Sequence, residues 1–194
     1  MEEKFRRDLA ALVEEYRAHG QQTQLRDRLL ALVRSVTPDT LSAAAEDYRD
    51  QPDVAAPLYE VIVEAQPANA RALVILANAL WLLGGGPDVV ASLANRAIAA
   101  DPDNRGAWHL WSLSEADPRA RTMRWRQVAE RFPSDELALA NVADNAAAVA
   151  GAEHDYEMLD LAIGVYEELE TRATDPAQRE ALGRALAALR RWKF

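Results

Sequence analysis

A chain of 194 residues that is 49% hydrophobic and 27% charged has enough apolar side chain for a packed core and is not of disordered composition. Its formal net charge of −9 speaks against nucleic acid or an anionic membrane as the main partner, because both need a net basic face. There is no cysteine, which excludes disulfides and thiolate metal sites and suits a reducing cytoplasm.

The first residues are charged every few positions, with no unbroken apolar stretch of the kind a signal peptide needs. Phe5, Leu9, Leu12, Val13 and Tyr16 form one helical stripe that Gly20 can stop in the left-handed conformation. A second stripe, Leu25, Leu29, Leu32, Val33 and Val36, halts before Thr37 and Pro38, a cap followed by a proline at the first helical position. A third helix is expected from about Leu41 to Tyr48. After the turn at Gln51-Pro52-Asp53 a fourth reaches Ala65, with Pro57 near its start. Asn69 can cap a helix through Leu83. Its apolar run, ALVILANALWLLGGG, is too short for a membrane span and reads as a buried helix ended by three glycines.

Pro87 opens the next helix, to about Ala100. Asn104 caps one to about Ala116, and Asp117-Pro118 starts another to Phe132. Asp135 caps a longer helix ending near Gly151. A polar loop (AEHDYE) is expected before a helix from Glu157 to Arg172, and the last helix spans Gln178 to Trp192. No stretch alternates with period two, so no sheet is predicted, and about eleven helices account for the chain.

Pro67, Pro102, Pro133 and Pro176 each close an Ala-rich helix and lie 35, 31 and 43 residues apart, a helical-repeat period. In the unit ending at Pro102, Leu73, Leu76-Ala77 and Leu80 precede Val90, Ala94 and Ala97. In the next, Trp108, Trp111-Ser112 and Glu115 precede Trp125 and Pro133. The preceding unit has Leu41, Ala44-Ala45, Tyr48, Ala55, Tyr59 and Pro67. The following one has Leu139, Val142-Ala143, Ala146, Ala162, Tyr166 and Pro176. These positions resemble the tetratricopeptide repeat, in which large residues of a first helix fill the gap to a second and a small alanine lets the helices approach. Leu182-Gly183 and Leu186 fit a final unpaired capping helix. The resemblance implies an all-α, right-handed superhelical solenoid of antiparallel helix pairs. It would comprise an N-terminal pair (1–36, a degenerate repeat or cap), a repeat array (37–176) and a C-terminal capping helix (177–194).

The resemblance also implies a non-catalytic cytoplasmic scaffold or adaptor that holds a peptide or protein partner on the first helices of the pairs. The residues it points to are Arg71, Val74, Asn78, Trp81, His109, Leu113, Asn141, Asp144, Asn145 and Arg184, with Glu180 beside the last. Trp81 is either an aromatic anchor or core packing, and Asn141 and Asn145 either meet a ligand or join neighbouring helices. Some tetratricopeptide proteins hold a C-terminal carboxylate with Lys, Arg and Asn side chains. Here Asp39 and Glu46 would repel such a group.

Charge is segmental. Residues 37–70 carry net −6, 105–135 net +2, 136–175 net −9 and 176–194 net +4. Arg119, Arg121, Arg124, Arg126 and Arg131 read as a solvated face that pairs with acidic neighbours rather than a nucleic-acid patch. His19, His109 and His154 lack metal-ligand spacing, and no nucleophile motif or phosphate loop is present, so no cofactor or metal is expected. Two alternatives remain: a homodimer closed by an apolar patch at Leu186, Leu189, Trp192 and Phe194, and a helical enzyme or metal protein using His109 or His154.

Overall fold

The computed structural model describes residues 2–20 and 22–194, with only the backbone of residues 22 and 23. Among the described residues there are eleven α-helices, one 3-10 turn and no strand. They are α1 (Glu2–His19), α2 (Gln22–Val33), α3 (Pro38–Ala45, followed by the 3-10 turn Glu46–Tyr48), α4 (Pro52–Ala65), α5 (Ala70–Leu82) and α6 (Pro87–Ala100). Then come α7 (Arg105–Leu113), α8 (Pro118–Arg131), α9 (Glu136–Glu153), α10 (Tyr156–Arg172) and α11 (Pro176–Leu189). The chain folds as two compact units, residues 1–110 and 111–194.

Three helix junctions repeat one hydrogen-bond pattern. The N–H groups of Gln66, Asp101 and Phe132 return to the carbonyls of Ile62, Ala97 and Val128, each at 2.8 Å. A proline follows. A turn then brings the N–H of Asn69, Asn104 or Asp135 to the carbonyl three residues back, at 3.0, 3.1 and 2.9 Å. The side chain of that same residue caps the next helix, accepting from Ala72, Ala107 or Ala138 at 3.0, 3.2 and 3.1 Å. One short oxygen-bearing residue therefore both closes the turn and satisfies an orphan N–H, which is why these prolines mark the repeat.

In the first unit α4 packs on α2, α3 and α5, and α5 on α6. Leu41, Leu58, Ile62, Leu73 and Val90 are fully buried there, with Ala45, Ala55, Ala77 and Ala94 letting the helices close. In the second unit α9 packs on α8 and α10, and α10 on α11. Its core runs through Trp125, Val128, Val142, Ala146, Val149, Ala162 and Leu186. Burying a side chain of this size stabilises by about 1.5–3 kcal/mol each.

Several local expectations are corrected. Pro57 is the sixth residue of α4, because that helix begins at Pro52. α7 stops at Leu113, and Arg124 of α8 holds the segment that leaves it: Nη1 donates to the Trp111 carbonyl (2.7 Å) and Nη2 meets Glu115 (2.6 Å). No six-residue loop separates α9 from α10. α9 continues to Glu153, His154 takes the left-handed conformation at φ 55°, and Asp155 caps α10 through the Met158 N–H at 3.1 Å. Arg119 makes this sharp turn possible by bonding both Glu153 (2.6 Å) and Asp155, which neutralises two carboxylates that would otherwise repel. α11 begins at Pro176 rather than Gln178 and ends at Leu189 rather than Trp192.

Candidate partner-binding surface

Arg71, Val74, Asn78 and Trp81 recur at helical spacing along α5. Arg71 Nε and Nη2 clasp Glu46 at 2.8 and 2.7 Å, and the Tyr59 hydroxyl donates to the same carboxylate at 3.4 Å. The guanidinium hydrogen bond holds Glu46 below the usual carboxylate range, while burial pushes Tyr59 up to about 12. Arg71 is thus already paired inside the first unit. Val74 is half-buried beside α7, where a methyl group at Gly106 would sit 3.2 Å from its Cγ1.

One turn further on the situation changes. Asn78 is exposed and makes no side-chain hydrogen bond to any described residue. Trp81 is 36% exposed, so it is not a core residue. The apolar run expected to be buried is buried only through Ala79. Leu82 and Leu83 are 62% and 44% exposed, and Val89, at the start of α6, is 50% exposed. The helix end is rigidly closed. Gly84, at φ 78°, donates to the Trp81 carbonyl (3.1 Å), and Gly85 donates to the Leu80 carbonyl (2.7 Å). A Cβ at Gly85 would lie 2.8 Å from that same carbonyl oxygen, so only glycine fits there. The exposed Leu82, Leu83 and Val89 were not singled out from the sequence. The available signal was the absence of any charge from residue 72 to residue 87.

His109, on α7 of the first unit, is half-buried, as is Leu113 in the second unit. The other second-unit candidates are engaged within the fold. Asn145 Oδ1 accepts from Arg121 Nε at 2.8 Å, and its Nδ2 donates to the Asn141 carbonyl at 2.8 Å. Asn141 Nδ2 donates to the Leu137 carbonyl at 2.8 Å. Asp144 accepts from the Tyr166 hydroxyl, and burial together with this bond raises the Tyr166 pKa. Arg184 pairs with Glu180 on the exposed side of α11. Through the Arg121 bond Asn145 joins α9 to α8.

The arginines of α8 meet partners as well. Arg119, Arg124 and Arg126 pair with carboxylates, and Arg121 bonds Asn145 and the Glu115 carbonyl. Among the described residues no three His, Asp or Glu side chains converge as a metal ion would need. No helix among them is long and apolar enough to cross a membrane.

The architecture is that of the tetratricopeptide fold. MamA protein superposes with a TM-score of 0.60 at 14% identity, covering 89% of this chain and 97% of its own. YrrB, described as a TPR protein with an unusual peptide-binding site, superposes with a TM-score of 0.58 at 20% identity, covering 93% and 89%. No protein-family model matches the chain, and no curated protein matches it in sequence.

Proposed function

We propose that the chain is a non-catalytic interaction module that binds a peptide or protein segment against the C-terminal half of α5, with Trp81 as the apolar anchor and Asn78 as the polar contact. The observation that carries this reading is the exposure of both side chains on one helix face without internal bonds, beside the exposed Leu82. An aromatic anchor next to an amide suits an extended peptide, whose backbone offers donors and acceptors in alternation. The peptide-binding site described for YrrB, a protein of similar fold, supports the ligand class. Val74 and His109, in the same unit, are secondary contacts in this proposal. Asn141, Asp144 and Asn145 would have to break internal hydrogen bonds to take part, so they are assigned a structural role.

Peptides selected from a random display library on the wild-type chain, and titrated by calorimetry, test the reading. Asn78→Ala and Trp81→Ala should each weaken them by about tenfold or more, as hot-spot residues do, with the circular dichroism unchanged. Wild-type affinity in both variants would refute the assignment.

A further inference from the structure

On α4, Asp53, Ala56, Pro57 and Glu60 stand at helical spacing, so one face is acidic at both ends and apolar between. Together with Arg26 of α2 and Leu80 and Leu83 of α5, they line an open recess of about 310 Å³ within the first unit. This volume lies at the small end of the ~300–1,000 Å³ range of ligand sites, enough for one large side chain. Its two acids are incompletely matched. Arg26 Nη2 meets one oxygen of Glu60 at 2.8 Å. Asp53, whose carboxylate raises the pKa of the nearby Tyr16 hydroxyl, has no ion-pair partner among the described residues. Pro57 has no N–H to give to the Asp53 carbonyl, which leaves a backbone acceptor without its helical donor.

The same chain carries the complementary element. Residues 176–194 have net charge +4 against −6 for residues 37–70, and Arg190-Arg191-Trp192-Lys193-Phe194 interleaves cations with aromatic rings. Trp192 and Phe194 remain 37% and 40% exposed. They are held in place rather than loose. The Trp192 ring lies against Gly151, and Phe194 stacks on His154 with centroids 5.2 Å apart. Tyr156 Oη donates to the Phe194 carbonyl and accepts from its N–H, both at 3.1 Å. A pre-ordered anchor loses little conformational entropy on docking. Arg190 is paired with Glu167, whereas Arg191 and Lys193 have no ion-pair partner among the described residues.

We propose that the α4 recess of one copy receives the exposed edge of Trp192 of a second copy, the ring staying packed on its own Gly151, with Arg191 and Lys193 facing Asp53 and Glu60. The two surfaces differ, so the contact is heterologous and repeats from copy to copy, ending in a ring or continuing as a chain. It combines apolar burial with exposed opposite charges, so it weakens as salt rises.

Light scattering coupled to size exclusion, across a concentration series, reads the outcome. The expected result is a mass above that of one chain, growing with concentration and shrinking with salt. Trp192→Ala and Leu83→Ser should each weaken association by about tenfold or more, since each removes an apolar contact at the centre of the interface. Leu83 is substantially exposed, so its replacement by serine leaves the fold intact, which circular dichroism checks. Lys193→Glu should also dissociate the assembly, and combining it with Glu60→Lys should restore it. A capped peptide of residues 190–194 should compete with the assembly. A monomer at every concentration overturns the proposal. So does a Leu83→Ser variant that associates like the wild type, because that result places Trp192 on another surface, including a symmetric contact between the Trp192 patches of two copies.

Discussion

α4–α6 of the first unit and α8–α10 of the second are both runs of three helices packed on their neighbours, yet they are joined differently. Between residues 72 and 87 the first run has no charged side chain, and α5 enters the core through Ala72, Leu73, Leu76, Ala77 and Ala79. The second run is stitched by polar side chains: Arg119 to Glu153 and Asp155, Arg121 to Asn145, and Tyr166 to Asp144. An asparagine on a repeat helix therefore keeps its amide free of internal bonds only where adjacent helices offer it none. Asn78 meets that condition and Asn145 does not.

The strongest way to break the comparison is through the cores, which should respond alike despite their different joints. Trp125→Ala should cost about 3–5 kcal/mol and Leu73→Ala about 2–5 kcal/mol in urea unfolding, because each leaves a cavity at a fully buried site. A markedly smaller loss for Leu73 would mean the apolar joint of the first unit is loosely packed. Next in size is the asparagine pair. Asn145→Ala should cost about 1–2 kcal/mol by leaving Arg121 Nε without its acceptor. Asn78→Ala, at an exposed and unbonded site, should stay within about 0.5 kcal/mol. Equal costs would mean that Asn145 is no more engaged in the fold than Asn78.

Gly84→Ala should destabilise by about 1 kcal/mol, because φ 78° strains any residue with a Cβ. It should also weaken partner binding at Trp81 if the closed helix end positions that ring. A binding constant unchanged by the substitution would show that α5 alone suffices.

The smallest effect is expected with acid. Glu46 in the first unit is held below its ordinary pKa by Arg71, and Asp155 in the second by Arg119 and then the Met158 N–H. A depressed folded-state pKa contributes stability above the unfolded value and loses it as pH falls through the folded one, so the loss belongs below about pH 4. Melting temperatures from pH 6 to pH 3 should fall less steeply in Arg71→Gln and Arg119→Gln than in the wild type. Identical slopes would mean that these pairs do not stabilise the fold against acid.

Much of the fold was legible because its signals are local. Asn69, Asn104 and Asp135 cap as their spacing after proline predicts, and Gly20 and Gly84 stop helices in the left-handed conformation. The errors share a cause. The stretch AEHDYE looks like a solvated loop until Arg119, more than thirty residues earlier, gathers Glu153 and Asp155 and lets the chain turn at His154. The end of α5 looks buried because its residues are apolar, but tertiary packing leaves Leu82 and Leu83 substantially exposed.

The candidate surface divides in the same way. The sequence alone determined the helix content, the caps and the residue types on each helix face, which follow from backbone sterics and period within a dozen residues, and the repeat spacing, which the recurring prolines mark. Tertiary structure alone decided which polar side chains stay available. Hydrogen bonds such as Arg121–Asn145 and Tyr166–Asp144 join residues 24 and 22 positions apart, and only packing of the helices brings such partners within reach.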